Sequence, residues 1–200
     1  MLADVSIRDF AKKVAAAEPV VPAGGCVIAL SGLMGVSLLE MSVNSALNQA
    51  AGEKHAAFFN EAKTLLTKAQ TELLACIDGD AAAYQGVLDA YKLPKCTPSE
   101  IIERKARVQA AAAAAIEVPL KISEACLAAL EPGISMLTII KHGVLGDLKI
   151  GLLVLKTGIE GSLAAARINL SLIQDDTAAQ QFQTRIDAIQ AKFLAAVSEL

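Results

Sequence analysis

Apolar positions recur along this chain at steps of three and four, the spacing of one buried helix face. Ile7, Phe10, Ala11 and Val14 predict a first helix over 6–17, with Ser6 as its cap. A second helix is expected over 25–50, carrying Glu40 as its only charge and broken by Gly52. A third should start near Glu53 and run to about Ala90, despite Gly79 and Gly86, each costing roughly 1 kcal/mol relative to alanine. Near its end Asp80, Tyr84, Val87 and Tyr91 fall on one stripe. Thr97-Pro98-Ser99-Glu100 reads as a capping box that opens a fourth helix. That helix should reach Leu130, bend at Pro119 and end at Glu131-Pro132-Gly133. Gly143 and Gly146 flank a turn, and Asp147 is expected to cap a helix running to Ile173. Gln174-Asp175-Asp176-Thr177 turns into a closing amphipathic helix. No strand pattern competes and no linker divides the chain. The expected fold is one all-α domain over 1–200, a bundle of long, partly kinked helices.

Pro19–Leu39 stands out within this pattern because it carries no charge. Its prolines and glycines form a loop, and Gly25, Ala29, Gly32 and Gly35 then share one helix face. A bare face admits a close backbone or a flat ligand. The stretch is therefore either the buried central helix or the helix whose start builds a site. Gly151, Gly158, Gly161 and Ala165 give a later helix a similar face, so the two should pack together or across a dimer axis.

Composition sharpens this picture. The chain is 54% hydrophobic with mean hydropathy +0.47, and alanine fills Ala110–Ala115. Apolar surface in such excess points to a homodimer. A net charge of -3 gives no electrostatic basis for binding nucleic acid or an anionic membrane. Pro19–Leu39 approaches membrane-span length, but its glycines, prolines and the following Glu40 argue for a protein interior. The first residues read as an amphipathic segment rather than a secretory leader. Cys26, Cys76, Cys96 and Cys126 form no C-x-x-C pair, so neither zinc nor a disulfide framework is expected. Isolated thiols fit a cytoplasmic location.

Four polar residues lie in apolar or glycine-rich surroundings: Asn44, Asp80, Asp147 and Asn169. Each has a structural explanation. Asp147 would cap a helix, Asp80 would be solvated, and the two asparagines would satisfy core hydrogen bonds. Cys26, at a helix start, could have a lowered thiol pKa. His55 and His142 read as an exposed and a loop histidine. Lys95, Arg104, Lys105 and Arg107 read as a solvated face, with Glu103 and Arg107 paired. Gly24-Gly25-Cys26 matches no phosphate loop.

The order of these landmarks resembles the formiminotransferase-cyclodeaminase C-terminal family, which includes stand-alone bacterial methenyltetrahydrofolate cyclohydrolases. The residues that carry the resemblance are Val21-Pro22-Ala23-Gly24-Gly25-Cys26, Met41 with Asn44, Asp80 with Ala83 and Tyr84, Ala90–Lys95, Glu117–Leu120, Gly146–Gly151 and Ile168–Leu170. Where the family carries a third glycine and a serine, this chain has Ala23 and Cys26, and the lysines expected after Asn44 are missing. The resemblance implies an all-helical dimer that acts on the N5–N10 one-carbon unit of a reduced folate, as cyclohydrolase or cyclodeaminase. It makes Asp80 and Asp147 the catalytic candidates. Pro22, Gly24, Gly25, Cys26, Asn44, Tyr84 and Asn169 would bind the substrate. No metal and no cofactor beyond the folate substrate are expected. The alternative is a catalytically weakened relative that binds folate or serves as a structural helical dimer.

Overall fold

A computed structural model describes residues 1–49 and 53–198. After a short 3-10 turn at Leu2–Asp4, the helices are α1 (Ile7–Val14), α2 (Gly24–Leu47), α3 (Ala56–Lys92), α4 (Pro98–Ile139), α5 (Leu145–Leu170) and α6 (Asp176–Val197). Among the described residues there is no strand. The expected end of the second helix at Ala50 and its break at Gly52 lie outside the described residues.

Three helix starts follow the sequence signals. The Asp9 amide donates to Ser6 Oγ at 3.1 Å. Thr97 and Glu100 exchange hydrogen bonds as a complete capping box. The Ala178 amide donates to Asp175 Oδ1 at 2.7 Å. These side chains satisfy amide donors that a helix start leaves unpaired. α1 is shorter than 6–17 and buries only Phe10.

The fourth helix differs most from expectation. It continues through Pro132 to Ile139. An interior proline costs about 3 kcal/mol, but the extra turns bury Gly133, Met136 and the following Ile140. Leu39 and Leu152 lie within 2.6 and 2.7 Å of where a Gly133 Cβ would be, so tertiary packing overrides the local stop signal. Asp147 does not cap the next helix. Val144 holds that position, its carbonyl accepting from the Leu148 amide at 2.9 Å. Asp147 sits inside the first turn, where a negative charge complements the helix dipole.

α2 is the central helix. It is long and apolar enough by length and composition to cross a membrane, with a mean hydropathy of 1.9 in its most apolar stretch. Here it packs against α3, α5 and α4. Gly32 faces Leu73 of α3 and Cys126 of α4; Gly158 of α5 meets Cys126 and the Gly32 backbone. A Cβ at Gly35 would lie 3.1 Å from the Gly151 carbonyl, and one at Gly151 would lie 3.0 Å from the Gly35 carbonyl. The two small faces meet within one chain, backbone against backbone. α6 closes the bundle, its Arg185 bonded to Glu117 and Glu124 of α4 through four contacts of 2.8 to 3.0 Å.

Candidate active site

The α2 start lacks a cap of its own. Ala23 occupies the N-cap and offers no side-chain acceptor. The acceptor comes from α3. Asp80 Oδ2 takes a hydrogen bond from Cys26 Sγ at 3.3 Å, and the Cys26 amide also favours the ionised carboxylate. A Gly25 Cβ would lie 2.0 Å from Asp80 Oδ1, so only glycine leaves room for this carboxylate. Asp80 is half-buried, contrary to the solvated reading. Burial pushes its pKa above the ordinary carboxylate value, outweighing the two Cys26 donors.

Cys26 is fully buried. Desolvation, with the nearby Asp80 charge, pushes its thiol up to about 12. The helix start therefore does not make it a nucleophile at neutral pH; it is a protonated donor that holds Asp80. Pro22 is buried beneath the same loop, Gly24 is exposed at its tip, and Tyr84 lies one turn beyond Asp80, 37% exposed. Asn169 Nδ2 donates to the Ala115 carbonyl at 2.7 Å, tying the end of α5 to α4. That bond satisfies the structural reading of Asn169. A cavity of about 400 Å³ opens beside this end of α3, lined by Cys76, Gly79, Val118, Lys121, Glu72 and Glu124.

Asn44 and Asp147 lie elsewhere. α5 runs antiparallel to α2, so Gly161 reaches Ile28 whereas Gly151 reaches Leu38 and Leu39. Asp147 precedes Gly151 by one turn, at the far end of α2 from Asp80, roughly 20 Å away at the helical rise. Both Asn44 and Asp147 are exposed, and neither side chain makes a hydrogen bond among the described residues. The core hydrogen bond expected of Asn44 is absent there. Asp80, Gly24, Gly25, Cys26, Pro22, Tyr84 and Asn169 thus gather at one end, and Asn44 and Asp147 sit at the other. His142 is exposed in the turn before α5.

Sequence reasoning missed the bond between Cys26 and Asp80 as the element joining loop and helix. The signal available was the absence of a capping side chain at Ala23. Among the described residues, no group of three or more His, Cys, Asp or Glu side chains is arranged to hold a metal ion.

A sequence model described as formiminotransferase-cyclodeaminase matches residues 6–188. The formimidoyltransferase-cyclodeaminase of Mus musculus is 30% identical over 199 residues, covering 98% of this chain and 36% of that protein. The chain thus spans about a third of that relative. The methenyltetrahydrofolate cyclohydrolase of Methylorubrum extorquens is 25% identical over 195 residues, covering 96% of this chain and 92% of that protein. The crystal structure of formiminotetrahydrofolate cyclodeaminase from Thermotoga maritima matches with a TM-score of 0.87 at 19% identity, covering all of this chain and 95% of that one. This last likeness concerns the fold.

Proposed function

The chain belongs to the formiminotransferase-cyclodeaminase family, and from that premise we propose that it acts on the N5–N10 one-carbon unit of a reduced folate. One observation carries the reading: a half-buried carboxylate of raised pKa, Asp80, is held at the start of the central helix. In cyclohydrolysis, water adds to the 5,10-methenyl carbon and one C–N bond opens. In cyclodeamination, N10 attacks the formimino carbon and ammonia leaves. Both pass through a tetrahedral carbon and both move protons between oxygen or nitrogen atoms. A carboxylate whose pKa burial raises suits that transfer. Its negative form also stabilises the cationic amidinium-like carbon. Neither reaction calls for a metal or a redox cofactor. Four free cysteines suit a reducing cytoplasm.

The working unit in this proposal is a homodimer with a shared site. Val27, Leu30, Met34 and Met41 form an apolar stripe on the outward face of α2, with Met34 47% and Met41 40% exposed. Gly24 and Asn44 are equally far from Met34 along the helix. Two such stripes packed antiparallel about Met34 set Asn44 of the partner subunit near Gly24. The partner's Asp147 then approaches Asp80. A two-fold axis makes both sites alike.

The test is direct. Purified protein mixed with 5,10-methenyltetrahydrofolate should bleach the methenyl chromophore faster than buffer, and Asp80→Asn should lower the rate about a hundredfold or more. Ammonia release from the 5-formimino compound measures the other reaction. Rates equal to buffer in both assays would overturn the proposal. A second reading rests on one observation: Asp80 does the work of the missing α2 cap, which alone accounts for its place. Calorimetric binding of a reduced folate without turnover would select that weakened, folate-binding relative.

A further inference from the structure

Glycine weakens a helix interior relative to alanine, yet Gly79 sits in the middle of α3 with no packing demand for it. A Cβ there would meet no atom within 4 Å. The missing side chain opens instead onto the cavity of about 400 Å³ between α3 and α4. That volume is typical of a small-molecule site. The lining contains no residue of the Pro22–Cys26 loop and neither Asp80 nor Asp147. Asp80 turns to Cys26 on α2. The cavity is therefore separate from the Asp80 site, on the α4 side of α3.

Its floor is apolar. Ala75, Cys76 and Gly79 come from α3, and Val118 comes from α4. Cys76 is only 7% exposed, and its free thiol makes no hydrogen bond among the described residues. Three charged side chains complete the lining. Glu124 is neutralised by two bonds of 2.8 Å from Arg185. Glu72 lies 3.9 Å from Lys68. Lys121 is exposed and has no acid within ion-pair distance among the described residues. Its charge reaches the floor. Burial raises the Cys76 thiol pKa, Glu72 and Asp80 add to that, and the Lys121 ammonium pulls it back. The cavity thus combines an apolar trough with a single unmatched cation.

We propose that this cavity binds a medium-chain carboxylate, its head at Lys121 and its alkyl chain along Ala75, Cys76 and Gly79 against Val118. The proposal stands apart from the folate reading. An uncharged amphiphile leaves Lys121 unmatched, and an alkylammonium meets it with like charge. From Glu72 to Gly79 the α3 wall is about 10 Å long at the helical rise. An extended eight-carbon carboxylate is about as long by bond count. A shorter chain leaves part of the floor wet, and a longer one runs out into solvent. Glycine at position 79 keeps the trough open where a larger side chain would take the place of the ligand.

Calorimetry with sodium octanoate tests it. Each methylene added from hexanoate to octanoate should tighten binding about threefold, with little further gain at decanoate. 1-Octanol should bind about fivefold more weakly than octanoate, and Lys121→Gln should erase that difference. Gly79→Leu fills the trough from a position with room for a side chain, so octanoate binding should be lost while the melting temperature holds or rises. Lys121 is exposed, so its variant remains a test whatever happens to the fold of Gly79→Leu. Octanoate binding that survives Gly79→Leu in a folded protein overturns the site. Equal affinity for octanol and octanoate overturns the assignment of the head to Lys121. No heat of binding at millimolar octanoate overturns the inference.

Discussion

The two ends of α2 both carry residues that match the family, yet they differ in construction. At Gly25 a carboxylate from another helix is lowered onto the helix start, its pKa raised by burial and its position held by a thiol. Near Asn44 and Asp147 the polar groups are exposed and make no hydrogen bond among the described residues. The first end is already organised in a single chain. The second is open to solvent. In the shared-site dimer proposed above, this difference would let residues roughly 20 Å apart in one chain serve one reaction.

The comparison breaks most severely at Gly25. Gly25→Ala sets a Cβ 2.0 Å from Asp80 Oδ1, so the carboxylate must leave its place. Stability should fall by about 1–3 kcal/mol in urea unfolding, with loss of most turnover. Asp147→Asn, at the exposed end, should leave the unfolding midpoint within experimental scatter and still lose turnover. Subunit mixing makes this sharper. Asp80→Asn and Asp147→Asn proteins, each inactive, should together recover about a quarter of wild-type activity when unfolded and refolded as an equal mixture, because half the dimers regain one of two sites. No recovery would place both roles within one subunit or remove Asp147 from the reaction.

Smaller effects probe the organised end. Burial holds the folded pKa of Asp80 above the ordinary aspartate value of 3.8. Its favourable contribution is therefore complete below that value and is lost as pH rises through the raised folded pKa. Wild type should lose stability over this window relative to Asp80→Asn, as urea titrations at several pH values would read. Cys26→Ser should have the mildest effect. A hydroxyl is a stronger donor to the ionised carboxylate than a thiol, so the acid limb of the kcat/KM profile should move to lower pH.

Helical periodicity made the architecture legible: the all-α class, a helix expected over 25–50 and found at Gly24–Leu47, and two small faces that meet within the chain, one of the two arrangements expected. Pro132 misled because local stop signals carry no information about what the next turns will bury. Gly133, Met136 and Ile140 decide that boundary through contacts with residues remote in sequence. Asp147 looked like a cap for a similar reason, since its actual place depends on where the preceding turn ends. At the site, motif order singled out Asp80 and the Pro22–Cys26 loop. The order could not reveal that the two interlock, because the missing cap at Ala23 is filled from a helix far along the chain. Charge spacing at Lys95, Lys105 and Arg107 read as a solvated face, and all three are exposed.

The glycine seam between α2 and α5 has a mechanical meaning. Gly35 and Gly151 approach through their backbones, each within 3.1 Å of where the other's Cβ would stand. Side chains can repack to absorb a shift; backbones in contact cannot. The seam therefore works as a ruler that sets the spacing between Asp80 and Asp147 within each chain.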